Sequence, residues 1–214
     1  MAMSERERAL EVIRLLQNEY PDAKTTLKQN NPLEMLLATI LSAQCTDERV
    51  NKVTEKLFKK YRTTKDYANA DIPELEQDIK STGFYHAKAR SIKKCCSTLV
   101  EKFNSKVPDN MNDLLLLPGV GRKTANVVLS SAFGVAEGIA VDTHVRRLSQ
   151  RLGLTSNSDP DKIEQDLMRI VPKEEWPPVS YLLIDHGRKI CVAKHPLCAQ
   201  CVINKICPSA FTFD

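Results

Sequence analysis

Four cysteines, Cys191, Cys198, Cys201 and Cys207, fall in one short stretch near the C-terminus with the spacing Cys-x6-Cys-x2-Cys-x5-Cys. Thiolates so grouped can enclose a single metal centre. Four cysteines make a closed tetrahedral zinc site, and a 4Fe–4S cube also takes four thiolates. Zinc sites more often carry two short cysteine pairs, whereas this stretch has one, and Pro208 follows the last cysteine as in some cluster loops. Lys123 is a second candidate, because a neutral lysine amine is a nucleophile that forms Schiff bases with carbonyl carbons. Asp142 is a third, standing just before the basic run His144-Val145-Arg146-Arg147. Each also has a plainer reading. Lys123 could bind phosphate at the surface, Asp142 could cap a helix, and His144 could be an ordinary helix-start histidine. Cys45, Cys95 and Cys96 read as core or surface thiols.

Lys123 sits in Leu117-Pro118-Gly119-Val120-Gly121-Arg122-Lys123-Thr124-Ala125. Pro118 stops one helix, and Gly119 and Gly121 allow a tight turn and close approach of backbone to a ligand. The next helix begins there. Its first amides lack intrahelical acceptors, and its dipole adds positive character, so residues 119–124 make an anion site suited to a DNA phosphate. The positive helix end also favours the neutral amine of Lys123. An ordinary helix–helix turn uses the same residue types. Contacts of this kind would grip a backbone without reading sequence.

The remainder reads as helices with short connections. Apolar residues recur at helical spacing over 4–20, closed by Pro21, and again after Pro32. Thr46 or Asp47 caps a helix over 48–61, and Asp71-Ile72-Pro73-Glu74 starts another. Further helices are predicted over 87–103, 109–117, 122–133, 141–152, 162–171 and 179–190. Only 7 of the 214 residues are glycine, too few for many tight strand turns. The prediction is an all-α chain of roughly ten helices. With 42% hydrophobic and 27% charged residues the composition is that of a globular protein. A net charge of +4 is compatible with a polyanionic partner. No apolar run is long enough to span a bilayer, and the N-terminus resembles neither a secretory signal nor a transit peptide. Seven cysteines without such a signal point to metal binding or chemistry rather than a disulfide framework.

Taken together, the Leu-Pro-Gly-Val-Gly-Arg-Lys-Thr-Ala string, the Val-Asp-Thr-His-Val string and the cysteine loop resemble the endonuclease III family, in the same order and over about residues 20–207. The resemblance implies a two-lobed helix–hairpin–helix DNA glycosylase fold. Residues 24–134 would form a six-helix barrel, and 1–23 with 135–214 an iron–sulfur cluster domain. Lys123 and the hairpin would face the cleft between lobes, with Asp142 across from it. It implies that Lys123 attacks the sugar C1′ and that Asp142 assists proton transfer and balances charge on the sugar. The cysteines would hold a 4Fe–4S cluster that shapes a basic loop carrying Lys189, Lys194 and Lys205. A damaged base must be flipped from the duplex before attack. Leu41-Ser42-Ala43-Gln44-Cys45-Thr46-Asp47 resembles the family segment whose glutamine fills the vacated space. Gly83-Phe84-Tyr85-His86-Ala87-Lys88-Ala89 resembles the loop that wedges the opposite strand, with Phe84 where the family often has Leu. By themselves, Gln44 could be a polar residue at a helix start and Phe84 a core side chain. His144 would line the base pocket.

The function so implied is a bifunctional DNA glycosylase and abasic-site lyase for oxidised pyrimidines in duplex DNA. It would act as a monomer in a bacterial or archaeal cytoplasm. Two alternatives stand beside it. One is a monofunctional mismatch glycosylase of the same superfamily, which Lys123 argues against because the adenine-specific members lack a lysine there. The other is a non-catalytic DNA-binding module with a zinc-stabilised tail, which would need neither Lys123 nor Asp142.

Overall fold

Residues 3–213 are described by the computed structural model, and among them there is no strand. Met1, Ala2 and Asp214, which the expected cluster domain includes, lie outside the described residues. The all-α expectation holds. The chain divides into two units, Thr26–Glu137 and a discontinuous unit of Met1–Thr25 with Gly138–Asp214.

The continuous unit is built around α2 (Pro32–Leu41). Asn31 caps it by accepting from the Glu34 N–H, and Pro32 occupies the first turn, where a missing N–H costs nothing. Every residue from Met35 to Leu41 is buried, as expected of a helix that is apolar all round. Around it in sequence follow α3 (Asp47–Lys60), α4 (Thr64–Asn69), α5 (Ile72–Ile79), α6 (Tyr85–Lys102), α7 (Met111–Leu115) and α8 (Arg122–Val128). Thr46 and Asp71 cap α3 and α5. Helix α4 was not anticipated. Its start is nonetheless written in Thr63 and Asp66, which form a reciprocal capping box. Its Tyr67 is buried, and α4 packs along α6. The helix expected over 122–133 is regular only to Val128. Leu129–Phe133 continues as a wider π turn, closed by Gly134 in the left-handed region at φ +67°.

The discontinuous unit joins α1 (Glu5–Glu19) to α9 (Thr143–Arg151), α10 (Pro160–Ile170) and α11 (Trp176–Lys189). Ser4 and Glu7 form a capping box at the start of α1, and Ala9, Val12, Ile13 and Leu16 line its buried face. They meet Val145 and Leu148 of α9, Ile163 and Leu167 of α10, and Leu182 and Leu183 of α11 in a second core. Helix α11 starts three residues before the expected Val179, because Pro177 and Pro178 fit inside a first turn. Beyond α11 the cysteine stretch is loop, with single 3-10 turns at Cys198–Gln200 and Asn204–Ile206. No helix among the described residues is long and apolar enough to cross a membrane.

Candidate active site

The hairpin between α7 and α8 is fixed by packing. Gly119 adopts φ +82°, and a Cβ built there would lie 2.9 Å from the Cβ of Ser91 in α6. Only glycine meets both demands cheaply. Val120 turns its side chain into the core, so its contribution to a ligand is limited to backbone. Gly121 is the N-cap of α8 and supplies no side-chain acceptor, and the first helical bond runs from the Ala125 N–H to the Gly121 carbonyl at 2.9 Å. The amides of the first turn therefore have no acceptor within the helix. Lys123 is exposed on that first turn, while Arg122 and Thr124 are half-buried beside it. Hydrogen-bond donors, a positive helix end and an accessible amine stand together, as a phosphate-gripping hairpin with a nucleophile requires.

Gln44 and Phe84 lie on two loops of the same unit. Gln44 falls between α2 and α3, outside either helix, and is exposed at φ +52°. Phe84 caps α6 in the left-handed region at φ +48°, and its side chain is 65% exposed. It is therefore no core residue. A left-handed backbone costs a non-glycine residue about 1–2 kcal/mol, and an exposed phenyl ring gains nothing from burial. Both observations mark loops shaped for something other than packing.

Asp142 is the N-cap of α9. One carboxylate oxygen, Oδ1, accepts from the N–H groups of His144 and Val145, both at 2.8 Å. The capping role anticipated from sequence is thus real, and it fixes the carboxyl group rigidly. His144 Nδ1 lies 3.1 Å from Arg147 Nη2. Burial, with Arg147 and Arg188 nearby, holds the imidazole below its ordinary pKa, against the opposing pull of Asp142. Gly187 makes room for this contact, since a Cβ there would stand 3.0 Å from His144 Nδ1.

The four cysteines line one pocket with Arg151 and His186. Burial pushes the thiol of Cys201 up to about 11 and raises that of Cys207. Thiolates in such a place need a cation to balance them, and metal binding supplies one. Arg151 Nη1 stands 3.3 Å from the Cys191 sulfur, and His186 Nε2 stands 3.3 Å from the Cys201 sulfur. His186 is itself buried and pinned through Nδ1 to the Tyr20 hydroxyl at 3.0 Å. Desolvation lowers its pKa to about 4, so it is neutral at pH 7. Among the described residues no three His, Cys, Asp or Glu side chains are arranged to hold a single metal ion.

A family model described as HhH-GPD superfamily base excision DNA repair protein matches residues 37–173. A relative named Endonuclease III from Synechocystis sp. is 51% identical over 97% of this chain and 94% of its own length. Another from Escherichia coli K12 is 40% identical over 92% of this chain and 93% of its own. The chain belongs to the endonuclease III family. Two solved structures agree, a non-covalent Endonuclease III–DNA complex and a trapped Endonuclease III–DNA covalent intermediate with an estranged adenine. Each gives a TM-score of 0.91 at 47% identity over 96% of both chains. A thermostable thymine-DNA glycosylase shares the endonuclease III fold with a TM-score of 0.86 at 24% identity.

Three residues of this endonuclease III chain escaped the sequence reading. Arg147 and Arg151 tie α9 to the cysteine loop, and their spacing of four on one helix face was an available signal. Lys88 is buried, and nothing in its sequence neighbourhood distinguishes it from a surface lysine.

Proposed function

We propose that the chain is a base-excision repair enzyme that removes oxidised pyrimidines from duplex DNA and then cuts 3′ to the resulting abasic site. Lys123 carries this reading. It is exposed on the first turn of α8, directly after a hairpin whose shape is fixed by Gly119, in a chain of the endonuclease III family. The trapped covalent intermediate of a relative 47% identical supports the same chemistry here.

The hairpin residues Gly119, Gly121, Arg122 and Thr124 hold a phosphate beside the lesion through amides and the helix end. The Lys123 amine attacks C1′ of the damaged nucleotide as the glycosidic C–N bond breaks and the base departs with a proton. The proton lost by the attacking amine goes to the departing base, a transfer that Asp142 assists while balancing positive charge on the sugar. Ring opening leaves an imine between Lys123 and C1′. The imine acidifies C2′, so loss of a C2′ proton expels the 3′ phosphate by β-elimination. Water then releases the lysine. Gln44 fills the space left by the extruded base, Phe84 wedges the opposite strand, and His144 lines the base pocket.

Cys191, Cys198, Cys201 and Cys207 hold a 4Fe–4S cluster. The pocket shared by all four thiols, with Arg151 at the Cys191 sulfur and His186 at the Cys201 sulfur, supports this reading. Its contribution is structural, holding the loop that bears Lys194 and Lys205 against DNA; Lys189, expected on that loop, instead ends α11 with its ammonium 4.7 Å from the centre of the Tyr20 ring. Thr26–Glu137 corresponds in this reading to the barrel domain and the discontinuous unit to the cluster domain. The enzyme works as a monomer in a bacterial cytoplasm, in keeping with the bacterial sources of its relatives.

Borohydride trapping on a duplex with one thymine glycol or abasic site tests the proposal. Wild type gives a covalent protein–DNA band and Lys123→Ala gives none while still binding the duplex. No band from wild type, or an equal band from Lys123→Ala, would defeat the nucleophile assignment.

A further inference from the structure

Lys88 is only 4% exposed, yet it faces no carboxylate. Its ammonium donates to two backbone carbonyls, that of Leu41 and that of Thr82, each at 2.8 Å. Its own N–H donates to the Phe84 carbonyl at 3.0 Å. These acceptors are not scattered. Leu41 is the last residue of α2, three positions before Gln44, and Thr82 ends the 3-10 turn Lys80–Thr82, two positions before Phe84. Both carbonyls close helical segments, where unpaired oxygens and negative dipole ends favour a cation. Burying a lysine away from a counter-charge is costly, and leaving buried carbonyls unpaired costs about 1–3 kcal/mol each. One ammonium resolves both problems and holds the two chain segments within its own reach.

The consequence lies in the loops that follow. Each tolerates a non-glycine residue at positive φ, Gln44 at +52° and Phe84 at +48°. Conformations of that kind persist only where the surroundings over-determine them. We infer that Lys88 is a positioning residue for base extrusion, fastening the Gln44 loop to the Phe84 loop so that filler and wedge enter the duplex as one rigid piece. The inference rests on the reading of Gln44 and Phe84 as the residues that occupy DNA. Lys88 does not touch substrate. Its ammonium acts through the carbonyls of Leu41 and Thr82.

A merely structural lysine would lower stability and all activities together. A positioning lysine lowers activity on duplex more than activity on single strands, where no base must be extruded from a stack. The test compares wild type, Gln44→Ala, Phe84→Ala, Lys88→Met and Lys88→Met combined with Phe84→Ala. Two readouts are used. One is the ratio of cutting rates on duplex and single-stranded abasic DNA. The other is the fluorescence of 2-aminopurine placed opposite a tetrahydrofuran abasic analogue, which rises when that base is unstacked. Misplacing groups by about 1 Å costs roughly a hundredfold at most, so Lys88→Met is expected to lower the ratio by about tenfold to a hundredfold. The 2-aminopurine rise falls with it, and the double variant is little worse than Phe84→Ala alone, as expected for residues acting through one element.

If Gln44→Ala and Phe84→Ala lower both readouts while Lys88→Met matches wild type, or adds to Phe84→Ala in full, the inference is overturned and the reading of the loops survives. If Gln44→Ala and Phe84→Ala change neither readout, the reading of the loops fails, and Lys88 has nothing to position. Should Lys88→Met fail to fold by circular dichroism, Lys88→Arg takes its place. Its longer, planar fork keeps the donors but displaces the carbonyls. A wild-type ratio for Lys88→Arg would then overturn the inference.

Discussion

Arg147 grips the carbonyl of Cys191 with two donors, Nε at 3.2 Å and Nη2 at 3.0 Å. The same Nη2 lies 2.8 Å from the Gly187 carbonyl, at the end of α11. One turn further along α9, Arg151 holds the Cys191 sulfur, the Val192 carbonyl at 2.8 Å and the Ala193 carbonyl at 2.9 Å. Helix α9 begins at the carboxylate of Asp142. The cysteine loop and the candidate catalytic acid are thus joined through one short helix.

That linkage predicts the behaviour of Arg147→Met, which keeps the apolar stem and removes the donors. Hydrogen bonds from charged groups contribute about 1.5–3 kcal/mol, and the variant is expected to lose stability of that order. Urea denaturation checks the loss. The rate at which a chelator strips iron should rise in parallel. An unchanged stripping rate would mean that α9 does not brace the loop.

Asp142 carries two roles that one pair of variants separates. Asn caps helices as well as Asp, so Asp142→Asn keeps the bonds to His144 and Val145 and leaves stability near wild type. Asp142→Ala loses the cap and about 1 kcal/mol. Both lack the charge, and both are expected to slow single-turnover base release by about a hundredfold or more. Full activity in Asp142→Asn would reduce the residue to its cap.

Gly119→Ala meets a forbidden backbone and a filled space at once. The left-handed φ costs about 1–2 kcal/mol, and the contact with Ser91 adds to it. Ser91→Gly removes the second cost and not the first. Glycine inside α6 costs about 0.5–1 kcal/mol by itself, so Gly119→Ala is expected to lower melting temperature and affinity for abasic duplex less in the Ser91→Gly background than in wild type. An equal loss in both backgrounds would show that backbone strain accounts for the whole effect.

Metal analysis of the purified chain decides the cluster. About four irons with matching labile sulfide are expected per chain, and Cys198→Ala should lower both and the visible absorption together. One zinc and no iron would return the loop to the tetrahedral alternative.

The hairpin string, the acid before the basic run and the cysteine spacing were all legible in the sequence, because each is local. Proline and glycine dictate a turn, a carboxylate caps the helix that follows it, and closely spaced thiols share a loop whatever surrounds them. The sequence by itself also determined the all-α class, since helical periodicity and capping residues act within a few positions. Its helix ends were less well marked. The π turn at Leu129–Phe133 is not an outcome that residue types in one segment announce. Only the tertiary structure decided which lysine is buried and which is exposed. Lys88 and Lys123 are alike in sequence terms, each near the start of a helix. Lys88 is drawn inside because two helical segments, far apart in the chain, end with their carbonyls at the same point, whereas the turn that precedes Lys123 leaves its amine in solvent. Phe84 shows the reverse case, an aromatic that hydrophobicity alone would bury and that a left-handed backbone at the head of α6 turns outward.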